Sequence, residues 1–324
     1  MARRIRYDAW SPADGTSRRK LAGPATWTSP WCEPGFAFTE LVASWSATTP
    51  RGSWVEVAVQ ARGSRTWHGL GTWASGRRSA HRASSTSDPE VDTDLWRPGQ
   101  RADAYRLRVR RHGEPVLHRF GAVVTAGRVR SDTSAPLRRV ERVLEVPRLS
   151  QMSCAEVGGR GWCSPTAVSM VLSHAGRLPP GTDLPVAARE VFDPAYDGTG
   201  NWPFNTAWAA TLSGHAFVTR LHDLRDAERF LDAGLPLVAS VAYAPGALKG
   251  APTKGTDGHL LVIRGFTATG DVVVNDPAAP TERSVRRSYD RAQLERAWLD
   301  GSGGTVYVIH RDDQPLPQGG RGAW

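Results

Sequence analysis

Apolar and polar residues alternate along the first half of the chain. Residues 36–42, 54–59, 105–109 and 116–124 change character at every second position, the period of a strand with one dry and one wet face. Gly, Ser and Pro separate these runs, so the pattern predicts short antiparallel strands, most economically a β-sandwich over residues 27–130. Residues 1–26 are expected to be an N-terminal extension, and the Ser- and Arg-rich stretch 75–87 a long exposed loop.

The period then changes. Residues 131–145 turn basic and irregular and are expected to be a linker, with a second domain over residues 146–311 and a frayed tail over 312–324 that is dominated by Gln, Pro, Gly and Arg. Val168, Val171, Leu172 and Ala175 recur at three-and-four spacing before Gly176, which predicts a helix whose first turn contains Pro165. Two nearly continuous apolar runs, from Leu260 and from Val272, flank the turn Thr267-Ala268-Thr269-Gly270 and predict a hairpin. From Thr206 onward the pattern predicts one more helix, with Asn205 as its cap.

Composition narrows the function classes. The formal charge is +9, yet only Lys20, Lys249 and Lys254 are lysines, and the arginines are scattered rather than striped with aromatics, so no nucleic-acid partner is expected. No apolar run reaches the roughly 18 residues of a membrane span. The amino terminus is not followed by the apolar core of a signal peptide, so the chain as written is expected in the cytoplasm, and outside the cell if its true start lies upstream. Trp31, Trp45, Trp54, Trp67, Trp73 and Trp96 are either core anchors or a stacking platform for a glycan or cell-surface ligand.

The candidate chemistry lies in the second half. Cys163 falls at the amino terminus of the predicted helix, where free backbone amides and the positive end of the helix dipole favour a thiolate. Of the other cysteines, Cys32 lies in the strand-rich half, and Cys154 has no proline-initiated helix after it and is expected to be a structural or redox thiol. His259 opens one strand of the hairpin and Asp276 follows the other, which puts them at one open end, in the arrangement where a carboxylate fixes an imidazole tautomer. A slip of one residue would promote Asn275 instead. His174 and His215 have no carboxylate at strand spacing and are weaker candidates. Trp202 and Phe204 either wall a cleft or pack in the core. No metal or organic cofactor is expected.

The run Val146-Pro147-Arg148-Leu149-Ser150-Gln151, then Trp162-Cys163-Ser164-Pro165-Thr166-Ala167, then Gly258-His259 and Asn275-Asp276-Pro277, resembles the bacteriocin-processing, double-glycine type of cysteine peptidase. The resemblance covers about half of the chain. It implies a papain-like α+β domain behind the β-sandwich, acting on a peptide or protein through a Cys163-His259-Asp276 triad and a thioester acyl-enzyme. Gln151 would then donate to the oxyanion, with Trp162, Trp202 and Phe204 at the substrate. The chain departs from that family at Ser164, where glycine is usual, and in residues 153–160, which set Gln151 further upstream. The rival readings are an acyl or amide transferase on the same fold, and a non-catalytic surface or glycan-binding protein with an inactive peptidase half. The halves are expected to be separable, with every candidate catalytic group on a fragment beginning at Leu137.

Overall fold

The computed structural model describes residues 2–11, 26–75, 82–84, 88–129 and 132–324. Most of the exposed loop expected over 75–87, and residues 12–25 of the expected extension, lie outside these.

The first half is all β. Its strands are β1 (Arg4–Trp10), β2 (Thr26–Thr28), β3 (Glu40–Thr48), β4 (Trp54–Ala61), β5 (His68–Trp73), β6 (Val91–Asp92), β7 (Leu95–Trp96), β8 (Tyr105–His112) and β9 (Val116–Ala126). They form two antiparallel sheets, ordered β1-β9-β3-β7-β6 and β2-β8-β4-β5. Aromatic side chains join the sheets: Trp27 meets Phe120 at 5.6 Å and Tyr105 meets Trp10 at 6.3 Å. In β8, Leu107 and Val109 are buried while Arg106 and Arg108 are not, as the alternation requires. Strand β3 breaks that rule, because Leu41 through Ala47 are buried on both faces. One of its faces carries a helix of the second half.

That half continues with β10 (Arg142–Val143), α1 (Cys163–His174), α2 (Leu184–Val191), α3 (Trp202–Ser213), β11 (His215–Arg220), α4 (Leu224–Asp232), β12 (Leu237–Tyr243), β13 (Thr256–Phe266), β14 (Val272–Asn275), α5 (Glu282–Val285), β15 (Arg286–Tyr289), α6 (Arg291–Ser302) and β16 (Thr305–His310). Its antiparallel sheet runs β11-β16-β12-β13-β14-β15, and β10 pairs with the end of β13. Helix α3 touches β11 and β16 of this sheet and also β3 of the first half. It is buried nearly all round, so it serves as shared core between the halves.

Several expectations change. Residues 4–10 are a strand paired along its length with β9, and Tyr7 stacks on Phe217 of the second half at 4.6 Å, so this segment is no extension. The alternation of Ile5 and Tyr7 with Arg4 and Arg6 was masked by the charge of the arginines. The expected linker is pinned: Ser134 is bonded through its amide and hydroxyl to Glu295, at 2.6 Å each, and the Leu137 amide donates to Glu228 at 2.8 Å. The expected tail packs as well, since Ala323 is buried, Trp324 lies 4.6 Å from Phe230, and the Gly322 carbonyl accepts from the Tyr7 amide at 2.6 Å. Helix α3 begins before Asn205, because Pro203 presets its first turn; the cap is Asn201, which accepts from the Phe204 amide at 3.0 Å, and Asn205 is buried inside.

The tryptophans divide. Trp45, Trp73 and Trp96 are core, while Trp31 and Trp67 have Arg106 over their rings at 4.5 and 5.2 Å and Trp54 stacks on His112. A side chain thus already stacks on each of these rings, and nothing in the structure supports a glycan ligand. Among the described residues no helix is long and apolar enough to cross a membrane.

Candidate active site

Helix α1 is the central helix of the second half, buried from Ser164 to Leu172. Trp162 precedes it with non-helical backbone (φ −99, ψ 29) and makes no side-chain cap, so the first amides stay available to a ligand. Cys163 is the first helical residue. Burial pushes its thiol up, but a hydrogen bond and the charge of His259, with the amides of Leu260 and Ser164, outweigh this and leave it below its ordinary value.

The partner arrives from the hairpin of β13 and β14. His259 is 5% exposed, and its Nε2 lies 2.8 Å from Asp276 Oδ1. This leaves Nδ1 free for Cys163, whose charge also favours the protonated imidazole. Burial opposes the charge on His259, yet the charge and hydrogen bond of Asp276 prevail and raise the imidazole to about 10. Asp276 is fully buried; burial opposes its charge, but His259 and a hydrogen bond from the Tyr289 hydroxyl at 2.8 Å hold the carboxyl below its usual range. The three groups therefore favour thiolate, imidazolium and carboxylate together.

Register decides which residue meets His259. Val262 pairs with Asn275 and Ile263 with Val274, but Gly265 pairs with Val273, so the ladder shifts by one residue at Arg264. Above this bulge Val274 and Asp276 share the face of Ile263 and His259. Asn275 faces away, donating to the Pro147 carbonyl at 2.9 Å and accepting from Arg264 at 3.3 Å. Arg264 is itself fully buried and donates to the Leu144 carbonyl at 2.8 Å.

Gln151 opens a 3-10 segment (Gln151–Val157), and its amide donates to the Pro277 carbonyl at 2.9 Å, tying it to the corner after Asp276. Its Nε2 donates to Arg160 at 2.6 Å and keeps a second proton. Gln151, Cys163 and His259 line one cleft of about 760 Å³, together with Trp202. Two expected cleft residues are elsewhere. Phe204 is fully buried against Trp45 and Trp73, at 6.1 and 5.4 Å, because its position in α3 points it into the core shared with β3. Trp162 lies over Gly158, where an added Cβ would come within 3.3 Å of the ring, and is not among the lining residues. His174 bonds the Glu145 carbonyl and His215 stacks on His310, both outside the cleft.

Sequence patterns missed three contributors. Tyr289, 13 residues beyond Asp276, fixes the far side of its carboxylate. Tyr196 hangs over the cleft, half exposed. The β6–β7 turn of the first half supplies Asp92, Thr93 and Asp94 to the cleft, and Asp94 accepts from the Trp202 amide at 2.8 Å. Burial lifts the Asp94 carboxyl to about 7. The only local signal for this turn is three polar residues, Asp92-Thr93-Asp94, between Val91 and Leu95.

Substitution of Asp276 by Asn tests this geometry. The native carboxylate accepts from His259 and Tyr289, and from the Ala278 amide at 3.1 Å. An amide accepts on one atom only, so either the tautomer of His259 or the bond from Tyr289 is lost. We expect turnover to fall by roughly 10²–10⁴-fold with some activity left, since the orienting group transfers no proton. Steady-state kinetics with unaltered rates across pH would show that Asp276 does not orient His259.

Comparison with known proteins agrees with this layout. The profile of the Peptidase C39 N-terminal domain matches residues 4–129, which spans the two sheets from β1 onward. No curated protein matches the chain. The profile of the Peptidase C39-like family matches residues 143–305, just over half of the chain and the whole of the Cys163 to Asp276 assembly. This chain belongs to the Peptidase C39-like family of cysteine peptidases.

Proposed function

We propose that the protein is an active cysteine peptidase with a papain-like second half, in which Cys163 attacks a peptide carbonyl. The observation that carries this reading is His259 held by Asp276 at 2.8 Å, with Cys163 at the start of α1 and His259 lining one cleft. The Cys163 thiolate adds to the carbonyl carbon while Gln151 Nε2 and the Cys163 amide donate to the oxyanion. His259 gives its proton to the leaving amine, the C–N bond breaks, and a thioester is left on Cys163. Water, deprotonated by His259, releases the acid and restores the thiolate; an amine in its place would give transfer. Processing of double-glycine leader peptides is the narrower form of this reading, supported by the order of the motifs, and cleavage confined to the bond after Gly-Gly would be its mark.

Thiol labelling as a function of pH tests the reading before any substrate is known. A chloroacetamide should modify Cys163 ahead of Cys154 and of Cys32, whose thiol is raised to about 12 mainly by burial. The sign follows from the shifts: Cys163 is depressed, so thiolate persists below the ordinary value of 9.0, and His259 is raised, so the imidazolium lasts to about 10. Labelling should rise on an acid limb below 9.0, and kcat/KM should then fall near 10. Labelling of Cys163 no faster than that of an unshifted thiol would sink the proposal.

A further inference from the structure

The cleft around Cys163 is acidic. Asp92 and Asp94 enter it from the β6–β7 turn, Asp197 from the loop before α3, and Asp257 from the start of β13, against Arg97 and Arg160. Arg97 is already engaged by Asp92 and by Glu40, each at 3.3 Å. Asp197 and Asp257 are exposed and have no hydrogen bond or ion pair among the described residues. Tyr196 lines the same cleft; burial raises its phenol, and the charges of Asp94, Cys163, Asp193 and Asp92 raise it further.

Two observations besides charge indicate an incoming ligand. Gln151 lines the same cleft, is 3% exposed, and its Oε1 has no hydrogen-bond partner among the described residues, a buried acceptor that a substrate N–H would satisfy. Gly161 and Gly258 flank the nucleophile and the base, and a Cβ on either would meet no atom within 4 Å, so a chain can pass close to the backbone there. The rim is also held in an uncommon conformation. Thr93, β-branched, sits at φ 55 in the turn that carries Asp92 and Asp94.

We propose that the cleft selects an extended peptide carrying a lysine or arginine side chain beside the bond attacked by Cys163, the cation being held among Asp92, Asp197 and Asp257. This deepens the peptidase reading and rests on it for the cleavage step, though not for binding. The first half of the chain thereby sets specificity, through a turn inserted beside the α3 amino terminus.

An exposed carboxylate–cation pair contributes a factor of about 2–5, so the free carboxylates together should give roughly tenfold preference. Matched peptides differing only by Lys, Gln or Glu near the scissile bond are compared by kcat/KM, with the wild type expected to prefer Lys over Gln about tenfold and to disfavour Glu. In the Asp197→Asn, Asp257→Asn double variant the preference should fall below about threefold; Asn is at ease at the positive φ of residue 197. In parallel, fluorescence anisotropy on the Cys163→Ala protein reads binding of the same peptides. Cleavage without preference overturns the cation proposal and leaves the peptidase reading standing. Preferred binding of the Lys peptide with no cleavage by the wild type does the reverse. Equal binding with no cleavage overturns both.

Discussion

Cys163→Ala is expected to abolish peptide cleavage, by a factor on the order of 10⁴ or more, while the protein keeps its fold. Among the described residues of the cleft, the sulfur is the only atom that both ionises below its ordinary range and can form an acyl bond, lowered by the imidazole of His259 and the amides of Leu260 and Ser164. Its loss removes the acylation route and leaves only what the oxyanion donors and peptide binding contribute. The structural cost is small, because Cys163 is partly buried at the lip of the core rather than within it, and a residue this size leaves little cavity. Cys163→Ser sharpens the test: it preserves size, but a hydroxyl does not ionise under these influences, so it should be nearly as inert. Mass spectrometry of a peptide mixture incubated with each protein reads the result, with thermal melting as the control for folding. Undiminished cleavage by the alanine variant would remove Cys163 from the mechanism.

A fragment beginning at Leu137 is expected to aggregate, or to lack cooperative unfolding, although it contains Cys163, His259, Asp276 and Gln151. It would bare α3, whose Phe204 packs between Trp45 and Trp73, and β11, whose Phe217 stacks on Tyr7. Each uncovered phenylalanine costs about 1.5–3 kcal/mol, against the 5–15 kcal/mol that separates folded from unfolded chains. Polar ties go with them: Arg220 loses its ion pair with Glu40 and its bond to Thr125 at 2.7 Å, and the Trp202 amide loses Asp94. Co-expression with residues 1–136 should restore solubility, which size-exclusion chromatography and calorimetry would read. A soluble fragment that melts cooperatively and cleaves short peptides as the whole protein does would show that the shared core is dispensable.

The separability expected from composition is set against this shared core, and composition misses the core for a physical reason. Alternation along a strand reports one dry face, and β3 has two, so nothing in its local pattern distinguishes a free sandwich from one covered by a helix. The charged start and the Gln, Pro and Gly of the end likewise describe solvation of a lone segment. They do not describe the pairing of β1 with β9 or the seat of Trp324 on Phe230.

What the sequence determined by itself was local: a proline in the first turn places Cys163 at a helix start, and two apolar runs around Thr267 to Gly270 place His259 and residue 276 at one end of a hairpin. Spacing and turn chemistry act over a few residues, and they suffice for that. The tertiary structure decided the rest. Without the bulge at Arg264, pleat parity would put Asn275 on the face of His259; with it, Asp276 is there. Arg264 at the bulge is fully buried, and its guanidinium finds acceptors in the Leu144 carbonyl, far away in sequence, and the Asn275 side chain on the facing strand. Tyr289, the β6–β7 turn and the loss of Phe204 to the core have the same origin, contacts between segments distant along the chain, which no window of neighbouring residues encodes.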